Sequence, residues 1–333
     1  MQQHSASIAM ATQPNASQPS YVIGVDIGGT NLRLALADIS GTVLARWSAS
    51  TVDIRNADKV VLLIAQGVDI LLAEVNANRT TLRAIAAAAP GITDPDRGIV
   101  VATSYLMGWI NVPLRALLEV ELNIPAAIDN DVNLAALGEG RAGIAQGTPD
   151  FVFLAIGTGL GAGILLNNQV FRGHAFTAGE IGYLLVPGVS EDPIPRGQPG
   201  ALEQIIGGEG IKSQWQRHWN PSLTKLPISA APTQIFDEAI TGDTLAQQVL
   251  ASTARALSYA IYNIALILNC PLFVFGGTVG LHPALIEATR QALQQRSARV
   301  QPQLLPSALG PDAQLIGAIR LALDTANARA PKP

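Results

Sequence analysis

Three consecutive polar residues, Asp129-Asn130-Asp131, directly follow a short apolar segment and are the first candidates for catalysis. Ligands in open α/β sheets bind at the carboxyl ends of the strands. A carboxylate at such a position can accept the proton of a hydroxyl group while the site positions and neutralises a phosphoryl group. The alternative is that Asp129 or Asp131 only caps the helix that follows. Both aspartates therefore stand as candidates for a general base, with capping as the structural alternative.

The chain makes a similar glycine turn twice, each time between two apolar segments. Residues 26–31 read DIGGTN, and residues 157–162 read GTGLGA. Glycine at such a turn lets backbone N–H groups converge into an anion-binding concavity. For either turn alone, an ordinary hairpin is the alternative. Two such turns in the two halves of the chain predict a phosphotransferase that grips one polyphosphate. The residues expected around its phosphates are Gly28, Gly29, Thr30, Asn31, Gly157, Thr158, Gly159 and Gly161.

The second turn also matches the dinucleotide-binding pattern G-x-G-x-x-A, but the segment after it does not fit. That pattern requires a helix directly after the glycines. Here GILLNNQVF follows, which alternates and then turns at Asn167-Asn168, as a strand does. No Gly-Lys-Ser/Thr sequence follows a glycine run, so the P-loop that binds phosphates in many nucleoside triphosphatases is absent as well.

Two further features suggest where a nucleotide and its cation would bind. Asp26 ends an apolar strand, where a carboxylate is costly to bury unless a cation or hydrogen bonds meet it. We expect it to hold a hydrated Mg²⁺ through water. A third glycine turn, Gly276-Gly277, follows the apolar segment LFVF and is a candidate floor under a nucleotide base.

Glu180 and Glu203 are acidic residues flanked by small or apolar ones. Carboxylates in such settings can accept hydrogen bonds from sugar hydroxyls. The alternative is a carboxylate in the first turn of a helix, which the helix dipole favours. This alternative is stronger for Glu203 than for Glu180.

The elements that position these residues alternate between strands and helices. The first half is expected to contain a hairpin, a strand over 42–48, a helix over 57–76, a strand over 84–89, a helix over 114–122, a strand over 126–128 and a helix over 132–141. The second half repeats the scheme, with a hairpin from residue 151, a strand over 272–275 and a last helix over 312–324. A Pro- and Gly-rich loop is expected over 186–200. This alternation predicts an α/β layer architecture.

Composition narrows the class of protein. The chain has 333 residues, enough for two domains, with 48% apolar and 14% charged residues, so extensive disorder is not expected. The net charge of −4, without a basic run, argues against nucleic-acid binding. Cys270 is the only cysteine, which excludes an internal disulfide and a thiolate zinc cluster. Residues 1–20 are expected to be a disordered extension without a signal peptide, and residues 256–275 a buried helix and strand without membrane contact. We expect a cytoplasmic protein.

In combination, these motifs closely resemble the ROK family, which comprises bacterial sugar kinases and sugar-responsive repressors of the actin-like ATPase superfamily. The resemblance runs from Tyr21 to about Ala328. It includes VDIGGTN, PGITD, DNDVNLAALGE, GTGLGAGI, the AGEIG block, ALEQIIGG, FGGTV and LIGAIRLAL, in the order and spacing of the family.

The resemblance implies the duplicated actin-like (ribonuclease H-like) α/β fold, with two domains around a central cleft. The smaller domain would comprise residues 21–130, completed by a C-terminal helix over 312–328, and the larger one residues 131–311. ATP and Mg²⁺ would bind in the cleft, and a homodimer is expected. The family's catalytic base falls on Asp131. Its sugar contacts fall on Asn130, Glu180, Glu203 and the Gly91 of PGITD, and its phosphate contacts on Gly28 to Asn31 and Gly157 to Gly161.

One family motif is missing from this chain. Most members have a histidine and a nearby run of three cysteines that bind a structural zinc. Tyr183 stands at the histidine position here, and the loop that follows contains no cysteine. We therefore predict no zinc. The loop would be braced by its prolines and its own packing, and Tyr183 would face the sugar without an imidazole's contact.

The sequence therefore predicts an ATP-dependent hexose kinase, with glucose as the leading substrate and O6 as the attacking hydroxyl. One alternative is a kinase for fructose, mannose, an N-acetylated hexosamine or allose. The other is a non-catalytic sugar sensor or regulator. Family repressors carry a winged helix-turn-helix domain before the core, and the 20 residues before Tyr21 are too few for one. Whether ATP or polyphosphate is the donor stays open, although the Gly276-Gly277 turn favours a nucleotide.

Overall fold

The computed structural model describes residues 19–52, 54, 56–103, 106, 108–195, 197–296 and 299–329 of the chain. The extension predicted over 1–20 therefore lies outside the described residues, except for its last two positions. A five-stranded sheet and its helices organise the first half. In chain order its elements are β1 (Tyr21–Ile27), β2 (Asn31–Asp38), β3 (Val43–Ser50), α1 (Ala57–Glu74), β4 (Leu82–Ala89), β5 (Ile92–Asp94), β6 (Ile99–Ala102), β7 (Ile110–Val112), α2 (Leu114–Leu122), β8 (Ala126–Asn130) and α3 (Asp131–Ala142).

A second five-stranded sheet organises the second half. In chain order the elements are β9 (Phe151–Ile156), β10 (Leu160–Leu166), β11 (Gln169–Val170), α4 (Glu203–Ile206), α5 (Gly208–His218), α6 (Pro232–Thr241), α7 (Thr244–Leu268), β12 (Leu272–Gly276), α8 (Pro283–Gln294), β13 (Gln303–Pro306) and α9 (Ala313–Ala328). Short 3₁₀ turns occur at Arg79–Thr81, Ile181–Tyr183 and Gly310–Asp312.

The two large sheets repeat one topology. Their strand orders are β3-β2-β1-β4-β8 and β11-β10-β9-β12-β13, and the small strands β5, β6 and β7 form a third sheet. In each large sheet the first strand pairs antiparallel with the second and parallel with a later one. The outermost strand on that side is parallel too. This duplication confirms the predicted α/β fold. The carboxyl ends of β1 and β8 reach one edge of the first sheet, which is where the candidate residues lie.

Local sequence explains the first helix and its early end. The Asn56 side chain caps α1 by accepting a hydrogen bond from the backbone N–H of Asp58 at 2.7 Å. Apolar residues at helical spacing, such as Val60, Ile64 and Val68, are fully buried. The helix ends at Glu74, two residues before the predicted end, because Asn76 adopts a left-handed conformation with φ of 54°.

The C-terminal helix α9 packs on the sheet of the first half. Its Leu315 and Ile319 form a buried cluster with Val22 and Ala86 of that sheet. Gly24 in β1 lacks a side chain at this contact, where a Cβ would lie 2.7 Å from Ile319 Cγ1. The helix runs four residues beyond the predicted end. It extends the core of the first half with a segment from the far end of the chain.

Helices α3 and α9 cross at very short distance. A Cβ at Gly317 of α9 would overlap the backbone oxygen of Leu134 in α3, and a Cβ at Gly138 of α3 would overlap that of Ala313. Below the crossing, the buried Glu139 side chain accepts a hydrogen bond from the backbone N–H of Leu309 at 2.9 Å. The two helices therefore pack closely against each other just beyond Asp131.

Each half has its own hydrophobic core. The most apolar stretch, residues 256–275, forms the end of α7 and the start of β12, as predicted. Within the described ranges, no helix combines the length and the apolar character needed to cross a bilayer.

Candidate active site

Asp131 is the first residue of α3, but the cap of this helix is its neighbour. The Asn130 Oδ1 accepts hydrogen bonds from the backbone N–H groups of Val132 at 2.9 Å and Asn133 at 3.0 Å. Its Nδ2 donates to the backbone oxygen of Gly91 at 2.9 Å. The structural alternative, in which Asp129 or Asp131 caps the helix, therefore does not hold, because Asn130 fills that position. The same Val132 N–H also donates to Asp131 Oδ1, at 2.9 Å. The N–H of Asn133 does not donate to Asp131 but to Asn130.

The surroundings of Asp131 disfavour its charge. Burial is the main cause that raises the pKa of its carboxyl, from 3.8 to about 7. The negative charges of Asp26 and Glu180 raise this pKa further, while the backbone N–H of Val132 lowers it. A carboxylate with a pKa near neutral pH is suited to accept a proton from a reacting hydroxyl and release it again.

Asp129 has a different environment although it is only two residues away. Its side chain is 1% exposed, and its Oδ2 forms an ion pair with Arg172. Arg172 Nε donates to this oxygen at 3.0 Å, and Asn133 Nδ2 donates to Oδ1 at 3.2 Å. The Asp129 carboxylate is thus fully engaged, which leaves Asp131 as the candidate general base. Sequence reasoning missed Arg172, because nothing local marks a partner 43 residues away.

Asp26 is paired with an arginine in this structure. Arg33 donates to Asp26 Oδ2 through Nε at 2.9 Å and through Nη2 at 2.6 Å. Burial raises the pKa of Asp26, and Arg33 partly opposes that effect. No hydrogen bond between described residues ends on Oδ1, so this oxygen fits a water of a hydrated Mg²⁺. In the described ranges as a whole, no three His, Cys, Asp or Glu side chains form a cluster that could hold a metal ion.

The first two glycine turns are tight and open to solvent on one side. In the first, Gly28 N–H donates to the Asn31 backbone oxygen at 2.8 Å. In the second, Gly157 N–H donates to the Gly159 oxygen at 3.1 Å. Gly29, Thr30, Asn31 and Thr158 are exposed, while the other predicted residues of the turns are partly buried. Asn31 and Gly161 are strand residues of β2 and β10, so both turns are shorter than predicted.

The third glycine turn has a structural explanation. Gly276 is a buried strand residue, and a Cβ there would overlap the ring of Phe153. Gly277 has a φ of 81° and packs against the backbone of Ile156, at the end of β9. The turn therefore lies beside the Gly157 turn. Close packing therefore explains why both positions are glycine. A nucleotide base above the turn is not needed to explain Gly276.

The two candidate glutamates lie near Tyr183. Glu180 precedes the 3₁₀ turn Ile181–Tyr183, and Glu203 opens the four-residue helix α4. Burial raises the pKa of both carboxyls, and the charge of Glu180 raises that of Glu203 further. Burial, together with the charges of both glutamates, raises the pKa of the Tyr183 phenol. The Tyr183 hydroxyl donates to the backbone oxygen of Gln198 at 3.1 Å, which ties the proline-rich loop to this group.

A small cavity joins residues from both halves of the chain. Gly91 and Asn130 of the first half and Gly161 and Glu180 of the second are part of its lining. Four of the predicted site residues therefore border one space, which Val132, the chain neighbour of Asp131, lines as well. Phe176, which also lines this cavity, had no signal in the sequence.

Comparison with known proteins agrees with this fold. The profile of the ROK family matches residues 22–325, so the chain belongs to the ROK family. A glucokinase of Halalkalibacterium halodurans is 30% identical over 89% of this chain and 93% of its own length. A xylose repressor of Caldicellulosiruptor bescii is 26% identical over 83% of this chain and 70% of its own length. The crystal structure of a ROK family glucokinase from Streptomyces griseus, in complex with glucose and AMPPNP, is 26% identical, with a TM-score of 0.74 over 92% of this chain and 100% of that one. These comparisons support an enzyme of the sugar-kinase class.

Proposed function

We propose that this ROK protein transfers the γ-phosphoryl group of ATP to a hydroxyl of a hexose, with glucose and its O6 as the leading acceptor. The observation that carries the proposal is the Asp131 carboxyl, whose pKa of about 7 suits a general base. Its chain neighbours Asn130 and Val132 line a cavity bordered by both halves. The likeness to a glucokinase over nearly the whole chain supports the choice of acceptor.

Asp131 is the proposed catalytic residue. In its ionised form it accepts the proton of the attacking hydroxyl as the oxygen bonds to phosphorus and the bond to the leaving ADP oxygen breaks. Burial disfavours the charged carboxylate relative to the neutral acid, so it increases the affinity of Asp131 for that proton. Phosphoryl transfer needs positioning and charge neutralisation above all else, so the base adds to what the surrounding groups supply.

The acceptor would bind through groups that accept hydrogen bonds. Glu180 and Glu203 are proposed to take sugar hydroxyls, and Gly91 to form part of the pocket wall. Asn130 uses its oxygen for the helix cap and one N–H for Gly91, so its second N–H is left for the sugar. Tyr183 is proposed to border the sugar while its hydroxyl holds the Gln198 loop.

The donor phosphates would lie between the two glycine turns. The exposed turn residues Gly29 to Asn31 and Thr158 offer backbone N–H groups and hydroxyls of the kind that bind phosphate oxygens. Mg²⁺ at Asp26 would neutralise phosphate charge, and Asp26 would hold it through water. Gly276 and Gly277 are proposed to lie under the base. We expect the active form to be a cytoplasmic homodimer.

The test is ADP release by the purified protein with ATP, Mg²⁺ and a panel of hexoses. The panel contains glucose, mannose, fructose, allose and N-acetylated hexosamines. We expect glucose to give the highest kcat/KM, and Asp131→Asn to lower kcat by roughly 10²–10⁴-fold while glucose still binds. Asp38→Asn, which changes an exposed carboxylate far from the cleft, is the matched control and should keep wild-type turnover. Equal turnover by Asp131→Asn and wild type would disprove the assignment.

A sugar-binding regulator is the second candidate, favoured by the likeness to the xylose repressor. Such a protein binds a sugar but releases no ADP with any member of the panel. Calorimetric binding of the same sugars therefore separates the two functions. Binding without turnover supports the regulator, and turnover excludes a purely regulatory role.

A further inference from the structure

Phe176 has a backbone conformation that its side chain makes unfavourable. Its φ is +59°, in the left-handed region. The other non-glycine residues with positive φ in the described ranges are all asparagines: Asn76, Asn111, Asn123, Asn167, Asn168 and Asn269. Asparagine tolerates this region, whereas a bulky residue is strained there. Such strain persists only where the surrounding structure holds it, and it concentrates at functional sites.

The loop that carries Phe176 is fixed at both ends. At its start, Arg172 is bound to the buried Asp129 of β8. The loop closes on itself where Ala178 N–H donates to the Arg172 backbone oxygen at 3.2 Å. At its end, the Gly179 backbone oxygen accepts the N–H of Ala162 in β10 at 2.8 Å. These contacts tie the loop to both sheets on either side of Phe176.

Phe176 faces the cavity between the two halves. It lines that cavity together with Asn130 and Glu180, two of the proposed sugar contacts. It is partly buried, yet it belongs to none of the hydrophobic clusters found among the described residues. Packing in one of these clusters therefore does not account for its partial burial.

The cavity is very small with Phe176 in place. Its volume is about 30 Å³, far below the roughly 300–1,000 Å³ of pockets that hold small-molecule ligands. A hexose can enter only when the Phe176 side chain moves or the opposite wall, with Gly91 and Asn130, moves away. The size of residue 176 therefore limits the size of the acceptor.

We propose that Phe176 forms the apolar wall of the acceptor pocket, packs against the C–H face of a hexose ring and excludes hexoses with bulky N-acetyl or glycosidic substituents. This inference rests on the proposed sugar-kinase function. A pyranose ring presents hydroxyls at its edge and C–H groups on its faces. Glu180 and Asn130 suit the hydroxyls, and an aromatic ring suits a C–H face. Phe176 acts as a specificity-determining residue and takes no part in proton transfer.

The test compares Phe176→Ala and Phe176→Gly with a control, Phe171→Ala. Phe171 belongs to the same segment, is 45% exposed and does not line the cavity. We expect both Phe176 variants to raise KM for glucose about tenfold, with kcat and KM for ATP little changed. We also expect the kcat/KM for an N-acetylated hexosamine, relative to glucose, to rise about tenfold. The Phe171 variant should match the wild type.

The glycine variant guards against a folding artefact. Glycine accepts the positive φ, so Phe176→Gly should melt at or above the temperature of Phe176→Ala. Unchanged acceptor selectivity in the folded glycine variant overturns the proposal. If the wild type releases no ADP with any sugar, the kinase function fails instead, and calorimetry then tests the wall by itself. In that case weaker glucose binding by both Phe176 variants supports the wall, and unchanged binding overturns it.

Discussion

Asp131→Asn should make the protein more stable while it lowers kcat by roughly 10²–10⁴-fold. The pKa of the Asp131 carboxyl is about 7 in the folded protein, against an ordinary value of 3.8. A difference of about 3 pH units corresponds to about 4 kcal/mol, at about 1.4 kcal/mol for each unit. Because the folded pKa lies above the ordinary one, the folded protein holds this proton more tightly than the unfolded chain does. The contribution of Asp131 to stability is therefore greatest at low pH and is lost as the pH rises to 7.

The expected result is a stability difference that grows with pH. Asparagine keeps the shape and the oxygen that accepts the Val132 N–H, but it carries no charge. The variant should be more stable than the wild type by up to about 4 kcal/mol near pH 8 and by about 2 kcal/mol near pH 5.5. Urea denaturation of both proteins at a series of pH values measures this difference directly, since effects of other titrating groups cancel in the comparison.

A control carboxylate should behave in the opposite way. Hydrogen bonds from the Ser40 side chain and from nearby backbone N–H groups lower the pKa of Asp38. Asp38→Asn should therefore lower stability at neutral pH, and the loss should fade as the medium becomes acidic.

The wild-type kcat/KM should also rise with pH around a midpoint near 7, because only the ionised Asp131 accepts the proton. A stability difference for Asp131→Asn that is flat with pH would refute the reasoning.

Two further predictions concern the groups that hold the site. Arg172→Ala leaves the buried Asp129 carboxylate without its cation and should lower the free energy of unfolding by about 3 kcal/mol. The double change Arg172→Met with Asp129→Asn should recover much of this loss in urea denaturation, and no recovery would show that the charge is not the cause. Gly317→Ala places a methyl group on the Leu134 backbone oxygen and should cost about 1–3 kcal/mol by separating α3 from α9. A melting temperature equal to that of the wild type would contradict this second prediction.

The features that sequence reasoning predicted are those with local causes. The β1–β2 and β9–β10 hairpins follow from apolar alternation around glycine. The position of Asp131 at a strand end follows from the short apolar segment before it. The predicted end of a helix differs from the observed one where a single residue determines it, as Asn76 does at the end of α1. The sequence offered Asp129 and Asp131 as alternative caps of α3, but Asn is equally suited to such a position, and Asn130 is the residue that caps the helix.

The features that sequence reasoning missed depend on contacts between distant segments. Arg172 reaches Asp129 across 43 residues and from one sheet to the other, and no pattern within either segment indicates this pair. Phe176 is missed for a related reason. Its residue type gives no sign of a left-handed backbone, which the anchors of its loop impose. Phe176 lines the cavity between the two halves, so the size of that cavity could not be predicted from the motifs.

The charges of the cleft favour a neutral acceptor with many hydroxyls. Within the described ranges, Asp26 and Asp129 are paired with Arg33 and Arg172, while Asp131, Glu180 and Glu203 form no ion pair. Burial raises the pKa of each of these three carboxyls, and the charge of Glu180 raises those of Asp131 and Glu203 further. An anionic acceptor would add a like charge, whereas hydroxyls donate hydrogen bonds to carboxylates and lower the cost of their burial. The same negative field would oppose the donor phosphates unless a divalent cation bound with them. We therefore expect one arrangement of carboxylates to account for both a requirement for a cation and a preference for an uncharged sugar.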